Sequence, residues 1–275
     1  MAPKGAPRDR LDRILVLRGL APNRTRAQAL ILAGRVRSGE ERLDKPGSRY
    51  PTDLPLSVTE GRRYVGRGAH KLLRALERFG IVVEERDVLD VGASTGGFTQ
   101  VLLEAGARRV IALDVGRGQL DWSLRNDPRV HPLEGVNARN LQPGQLPFPP
   151  SFASIDVSFI SLELVLPPVV RCLAQEGEIV ALVKPQFEVG RGQVGKGGIV
   201  RDPALHRQVL ERVVDFAGTR GWAVSGICAS PIRGADGNRE FLLHVQPGAA
   251  VESGAELRRF LADLAEPERS EEADR

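Results

Sequence analysis

Of the 39 basic side chains in this 275-residue sequence, only five are lysines: Lys4, Lys45, Lys71, Lys184 and Lys196. Where any cation would serve, the chain writes arginine. A lysine therefore marks a place that wants a compact ammonium able to lose its proton, which a guanidinium effectively never does. Lys71 sits in Gly66-Arg67-Gly68-Ala69-His70-Lys71-Leu72, at the start of a helix. Lys184 ends the apolar run Leu182-Val183, ahead of Pro185-Gln186-Phe187. Asp156 ends Ser154-Ile155, ahead of Val157-Ser158-Phe159, and Glu240 opens a strand after Gly237-Asn238-Arg239. Any one of these alone reads as a structural ion pair, because charges at the ends of buried strands are costly unless paired. Together they suit removal of a proton from a hydroxyl. A free lysine amine, with a pKa of ~10.4, is a poor base near neutrality. A second lysine, a cationic ligand and partial burial each make such an amine easier to deprotonate. Lys184 is the candidate general base, Asp156 its orienting partner, and Lys71 and Glu240 the groups that hold the hydroxyl and tune the field.

A second constellation is Leu89-Asp90-Val91-Gly92-Ala93-Ser94-Thr95-Gly96-Gly97-Phe98, which follows a strand and opens a helix. Glycines there admit a ligand to the backbone, and the helix N-terminal amides face it. The spacing lacks the middle glycine of G-x-G-x-x-G, which disfavours a dinucleotide pyrophosphate. The Asp90-x-Gly92-x-x-x-Gly96 form suits S-adenosylmethionine (SAM) better. Asp90 is placed for the methionine ammonium, directly or through water, Asp114 at the end of the next strand for both ribose hydroxyls, and Asn137 for adenine. Ser94, Gly97 and Phe98 complete the candidate cofactor set.

These residues need a scaffold that brings strand ends together. Residues 86–91, 109–114, 130–134, 152–157 and 178–184 read as buried strands, with helices at 97–105 and 203–220 between or beyond them. The helical stretch Ser161–Ala174 contains Pro167-Pro168, which predicts a kink or a late start. Residues 222–229 and 240–246 read as closing strands. Trp122, Phe159 and Trp222 are expected in the core. This alternation predicts an α/β fold with a doubly wound, Rossmann-like sheet. The segment from Gly190 to Gly198, with Arg191 and Lys196, reads as a substrate flap. Residues 8–60 form a separate small α+β domain: helices on Leu11, Ile14 and Leu15 and on Ala27, Leu30 and Ile31, capped by Asn23 or Thr25, then small strands near Val36, Leu43, Leu54, Leu56 and Val58. Domains are expected at 8–60 and 67–247, with a linker at 61–66 and, at 248–275, a short helix and an acidic, disordered tail.

Charge is uneven along the chain. Residues 1–70 carry 15 basic and 7 acidic side chains, whereas residues 248–275 carry 4 and 8. A basic front end predicts a polyanionic partner. Arg13, Arg18, Arg24, Arg26, Arg35 and Arg37 are the candidate RNA contacts. Two cysteines and four histidines show no metal-ligand spacing. No apolar run approaches ~18 residues, and no apolar signal segment is visible, so a cytoplasmic, non-membrane protein is expected.

The stretch RLDRILVLRGLAPNRTRAQALILAGRV resembles an S4 RNA-binding domain. The body resembles the FtsJ-like ribose 2′-O-methyltransferases with their Lys-Asp-Lys-Glu tetrad. Through GRGAHKL at 66–72, DVGASTGGFT at 90–99, ALDVGRGQL at 112–120, IDVSFISL at 155–162, LVKPQFEVGRGQVGKGGIVRD at 182–202 and GADGNREFL at 234–242, the chain from about residue 8 to 247 resembles the TlyA family of S4-containing rRNA methyltransferases, which also carry the name hemolysin A. That resemblance implies Lys71, Asp156, Lys184 and Glu240 as the tetrad, SAM as cofactor, rRNA in ribosomal subunits (16S, 23S or both) as partner, and a 2′-O-methylated cytidine as product. Two other readings stand beside it: a non-catalytic RNA-binding factor, and a membrane-lytic protein, for which the sequence offers no amphipathic basic helix.

Overall fold

The computed structural model describes residues 7–59, 64–190, 192–248 and 258–262, without the Lys196 side chain. The expected linker lies partly outside the described residues. So do Arg191 and most of the expected C-terminal tail. The chain divides into two compact units, Met1–Arg63 and Tyr64–Arg275.

The smaller unit begins with β1 (Arg8–Arg10), α1 (Leu11–Leu17) and α2 (Arg24–Leu32). Asn23 caps α2: its Oδ1 accepts from the Arg26 amide at 2.9 Å. Leu11, Leu15, Ala27, Leu30 and Ile31 meet in the core between the helices. Asp12 lies buried at the same junction. Arg10 at 2.9 Å, Gln28 at 2.8 Å and Arg24 at 3.2 Å all donate to its Oδ2. The Arg10 guanidinium, more than any other neighbour, holds that carboxyl well below the usual range. The chain continues through β2 (Val36–Ser38), β3 (Glu41–Arg42), β4 (Arg49–Pro51) and β5 (Ser57–Val58). β2 pairs with β3 and β5, and β1 with β4, all antiparallel. No strand forms at Leu54 or Leu56. Pro55, between them, has no N–H to give a ladder.

The larger unit is built on a seven-stranded sheet. In chain order its elements are α3 (Ala69–Phe79), β6 (Asp87–Val91), α4 (Gly97–Glu104), β7 (Arg109–Asp114), α5 (Trp122–Arg125), β8 (Val130–Glu134), β9 (Phe152–Ile155), α6 (Leu162–Cys172), β10 (Glu178–Val183), α7 (Pro185–Glu188), α8 (Pro203–Gly218), β11 (Trp222–Ala229) and β12 (Phe241–Pro247). The strand order is β11-β12-β10-β9-β6-β7-β8. β9 pairs parallel with both β6 and β10, whereas β12 runs antiparallel to its neighbours β10 and β11. The chain moves outward from β6 in one direction, then restarts at β9 in the other. The carboxyl edge between those strands is the switch point where open α/β sheets bind ligands.

Alternate residues of each strand feed opposite layers. In β10, Ile179, Ala181 and Val183 join the layer under α6 and α8, whereas Val180 and Leu182 join the layer under α3 and α4. α6 begins at Leu162, without the late start that the prolines could have imposed, and continues through Pro167 and Pro168 as one helix. The prolines leave the Glu163 and Leu164 carbonyls without their usual i+4 donors, a loss of about 3 kcal/mol each. Val165, Leu166, Pro168, Val169 and Cys172 are buried on the sheet, and each large apolar side chain returns roughly 1.5–3 kcal/mol. Two expected core residues are on the surface instead: Trp122 is 78% exposed and Phe159 90%. Each lies outside the alternating strand pattern that buries side chains, Trp122 opening the short α5 and Phe159 in the loop after β9.

Candidate active site

Four polar residues arrive at one edge of the sheet by separate routes. Asp156 and Lys184 directly follow the carboxyl ends of β9 and β10. Glu240 precedes β12, and because β12 is antiparallel to β10, with Phe241 opposite Val183, its start lies at the same edge. Lys71 is in the first turn of α3, whose buried face is Ala69, Leu72 and Ala75. Strand parity aims all three strand-end residues alike. Asp156 follows Ser154, Lys184 follows Leu182, and Glu240 precedes Leu242 by two places, all toward the layer that α3 covers.

The result is a chain of contacts. Lys71 Nζ lies 2.6 Å from Glu240 Oε2 and 3.8 Å from Asp156 Oδ2. Lys184 Nζ lies 2.6 Å from Asp156 Oδ1, and it donates to Ser158 Oγ at 2.9 Å. Both ammonium groups therefore reach one carboxylate from opposite sides. Glu240 is 2% exposed, Lys71 7% and Lys184 9%. Burial pushes the Glu240 carboxyl above its ordinary range, against the pull of Lys71. Two acids and two amines balance in charge, which is what makes such burial tolerable.

Two cavities flank this row. The smaller, ≈250 Å³, is lined by Gly66–Gly68, Lys71, the turn at Gly92–Thr95, Gly97, Phe98, Asp156 and Ile232–Ala235. The larger, ≈1010 Å³, runs past Ser94, Asp114, Asn137, Ser158, Phe159 and Phe187. They share Gly92, Ser94 and Asp156. Gly92 has φ +86°, and a Cβ on it would collide with the Asp156 carbonyl oxygen. Only glycine lets the turn pass this close to β9. Gly96, at φ +98°, fits against Leu120 and Leu124, so it serves packing under the turn.

The expected cofactor residues divide into three groups. Asp114 binds the turn together, accepting from the Ser94 amide at 2.8 Å and the Gly116 amide at 2.7 Å. Each of its oxygens keeps a lone pair for a further donor. Asn137 Oδ1 accepts from the Arg139 amide at 3.0 Å, leaving its NH₂ available. Gly97 and Phe98 line the smaller cavity. Asp90 lines neither of these two cavities. It is completely buried, and its oxygens accept from Thr99 Oγ1 at 2.7 Å and Ser154 Oγ at 3.0 Å. Burial pushes its pKa up to about 7. The bonds from Thr99 and Ser154 brace the turn from beneath. Beside Asp156 in the sequence, Ser158 escapes the sequence reading, and Phe159 is expected there only as a core residue. The proximity of Ser158 to a strand-end acid was the available signal.

Of the candidate RNA contacts, Arg13 pairs with Asp9 at 3.5 Å, Arg24 is engaged by Asp12, and Arg18 donates to the Leu54 carbonyl. Arg26 and Arg37 are exposed, with no side-chain hydrogen bond or ion pair among the described residues. Arg35 is half-buried and engaged. Among the described residues there is no group of His, Cys, Asp and Glu suited to a metal, and no helix is long and apolar enough to cross a membrane.

Comparison with known proteins agrees with this architecture. The FtsJ-like methyltransferase family model matches residues 64–246, and the S4 domain model matches residues 9–53. The Mycobacterium tuberculosis "16S/23S rRNA (cytidine-2′-O)-methyltransferase TlyA" is 50% identical over 86% of this chain and 90% of its own length. "Hemolysin A" of Brachyspira hyodysenteriae is 40% identical over 86% and 98%. A solved Streptococcus thermophilus structure that carries a hemolysin name matches with TM-score 0.71 and 44% identity, covering 94% of this chain and 96% of the other. A two-domain chain with an S4 front end, a switch-point cavity and this degree of identity belongs to the TlyA family of FtsJ-like methyltransferases.

Proposed function

We propose that this enzyme transfers a methyl group from SAM to a cytidine ribose 2′-hydroxyl in rRNA, with Lys184 as general base in a Lys71-Asp156-Lys184-Glu240 tetrad. The observation that carries the reading is the row of contacts Glu240–Lys71–Asp156–Lys184 where two cavities meet. The residues fit SAM. Asp114 retains lone pairs for ribose hydroxyls, the Asn137 amide lines the larger cavity for adenine, and the smaller cavity offers Arg67 to a carboxylate. When bound, SAM supplies a methyl group carried on a sulfonium. The protein's part is the proton. Lys184 takes it from the sugar oxygen, Asp156 holds the amine in place, and Lys71, kept by Glu240, favours negative charge on that oxygen.

Substrate class rests on the relatives. The M. tuberculosis protein is named for cytidine in 16S and 23S rRNA, and a Campylobacter jejuni relative, 35% identical over 74% of this chain, for cytidine in 23S rRNA. Arg26 and Arg37 of the S4 unit would meet phosphates, and the outward ring of Phe159 offers a face on which a base can stack, worth ~1–3 kcal/mol. Ribosomal subunits in the cytoplasm are the expected partner. The test is transfer of labelled methyl from SAM to purified subunits, followed by mapping of 2′-O-methyl positions. Lys184→Ala should abolish transfer while SAM still binds in calorimetry. Transfer at the parental rate by Lys184→Ala would refute the base assignment.

A further inference from the structure

Ser158 lies in the loop after β9, two residues past Asp156 and outside any helix or strand. Its side chain is exposed and lines the larger cavity together with Asp156. Its Oγ accepts from Lys184 Nζ at 2.9 Å, while Asp156 Oδ1 lies 2.6 Å from the same nitrogen. The next residue, Phe159, has φ +63°. A non-glycine residue in that region is strained and persists where the surroundings impose it. Here the turn sends the Phe159 ring outward directly after a hydroxyl held on the amine.

The number of acceptors on Nζ decides what the amine can present. An ammonium has three N–H donors. The neutral amine, the form that accepts a proton, has two N–H groups and one lone pair around a tetrahedral nitrogen. With both Asp156 and Ser158 as acceptors, both N–H groups are committed, and the lone pair occupies the one remaining direction. With Asp156 alone, an N–H and the lone pair exchange by rotation about Cε–Nζ. The amine would then also meet a hydroxyl with a donor, and the ammonium that develops on proton transfer would lack one of its acceptors. Resting on the assignment of Lys184 as base, we infer that Ser158 is a positioning residue that aims the Lys184 lone pair at the sugar hydroxyl. After proton transfer the same oxygen continues to accept from the ammonium, so both protonation states are held in one geometry.

The test compares Ser158→Ala, Ser158→Thr and Lys184→Ala with the parent in the full-length protein. Single-turnover methylation of ribosomal subunits is measured at saturating SAM, SAM affinity by calorimetry, and KM for subunits in the steady state. Loss of one hydrogen bond to a charged group predicts a rate roughly tenfold to a hundredfold lower in Ser158→Ala. SAM affinity and KM should stay within about twofold of the parent. Ser158→Thr keeps the hydroxyl, its extra methyl faces the open cavity, and it should recover most of the rate. A parental rate in Ser158→Ala, a rate lost in step with SAM affinity, or a threonine variant no faster than alanine would each overturn the inference. An inactive Lys184→Ala beside an unimpaired Ser158→Ala removes this inference alone. A fully active Lys184→Ala removes the base assignment beneath it.

Discussion

Glu240→Gln keeps the shape of the side chain and deletes its charge. Among the described residues Lys71 then keeps one carboxylate partner, Asp156 Oδ2 at 3.8 Å, on a carboxylate already 2.6 Å from Lys184. Removing one member of a buried ion pair costs about 3–5 kcal/mol, because the other is left uncompensated. Lys71→Met strands the acid instead, and an acid has an escape. Burial already pushes the Glu240 carboxyl up, so without its lysine it takes a proton at low pH and sheds most of the penalty. With a folded pKa above the unfolded value, that relief is complete at low pH and is lost as pH rises through the folded value. The cost of Lys71→Met should therefore grow with pH, by at most about 1.4 kcal/mol per unit. The double variant places two neutral side chains together and should be far more stable than the sum of the single losses implies. The expected coupling is at least ~2 kcal/mol at pH 8 and no larger at pH 6. Urea unfolding followed by tryptophan fluorescence measures it. Both tryptophans, Trp122 and Trp222, belong to the methyltransferase unit, so the signal reports the unit that holds the pair. Additivity of the two single variants within ~0.5 kcal/mol at both pH values would refute the buried-pair reasoning.

Asp90 should leave a signature of its own. Its pKa of about 7, against 3.8 for a free group, means that its contribution to stability is complete below pH ~4 and is lost as pH rises through 7. At ~1.4 kcal/mol per unit this amounts to at most about 4 kcal/mol. Asp90→Asn should lack that slope, so the parent should lose stability relative to the variant between pH 5 and 8; a difference independent of pH counts against a buried acid. In the S4 unit, Arg26→Ala and Arg37→Ala should each weaken rRNA binding and reduce the slope of log K against log salt by ~0.7–0.9, with SAM affinity unchanged. An unchanged slope removes that arginine from the interface.

Much of the scaffold was legible because its signals are local. The apolar runs at 109–114, 130–134 and 222–229 became β7, β8 and β11 at the expected residues. Gly92 and Gly96 marked a turn that needs positive φ. The two-residue parity from Ser154 to Asp156, and from Leu182 to Lys184, could be counted along the chain. Other features escaped for physical reasons. The prolines of α6 forecast a kink or a late start because local sterics disfavour them, yet the helix starts at Leu162 and continues through them, where burial against the sheet offsets two lost hydrogen bonds. Trp122 and Phe159 were assigned to the core by their size, although a loop residue is buried only if another element covers it. Asp90 carries a ligand-binding pattern, and only the fold shows Thr99 and Ser154 bonded to it.

The amino-acid order by itself determined which residues end each element and toward which layer each side chain points, since helix and strand periods are properties of the local backbone. It did not determine that β9 lies between β6 and β10, or that β12 runs antiparallel to β10. Those pairings close long loops, and their free energy comes from burying whole faces against partners distant in the sequence. That long-range packing alone places Glu240 beside Lys71, and Ser158 on the amine of a lysine 26 positions away.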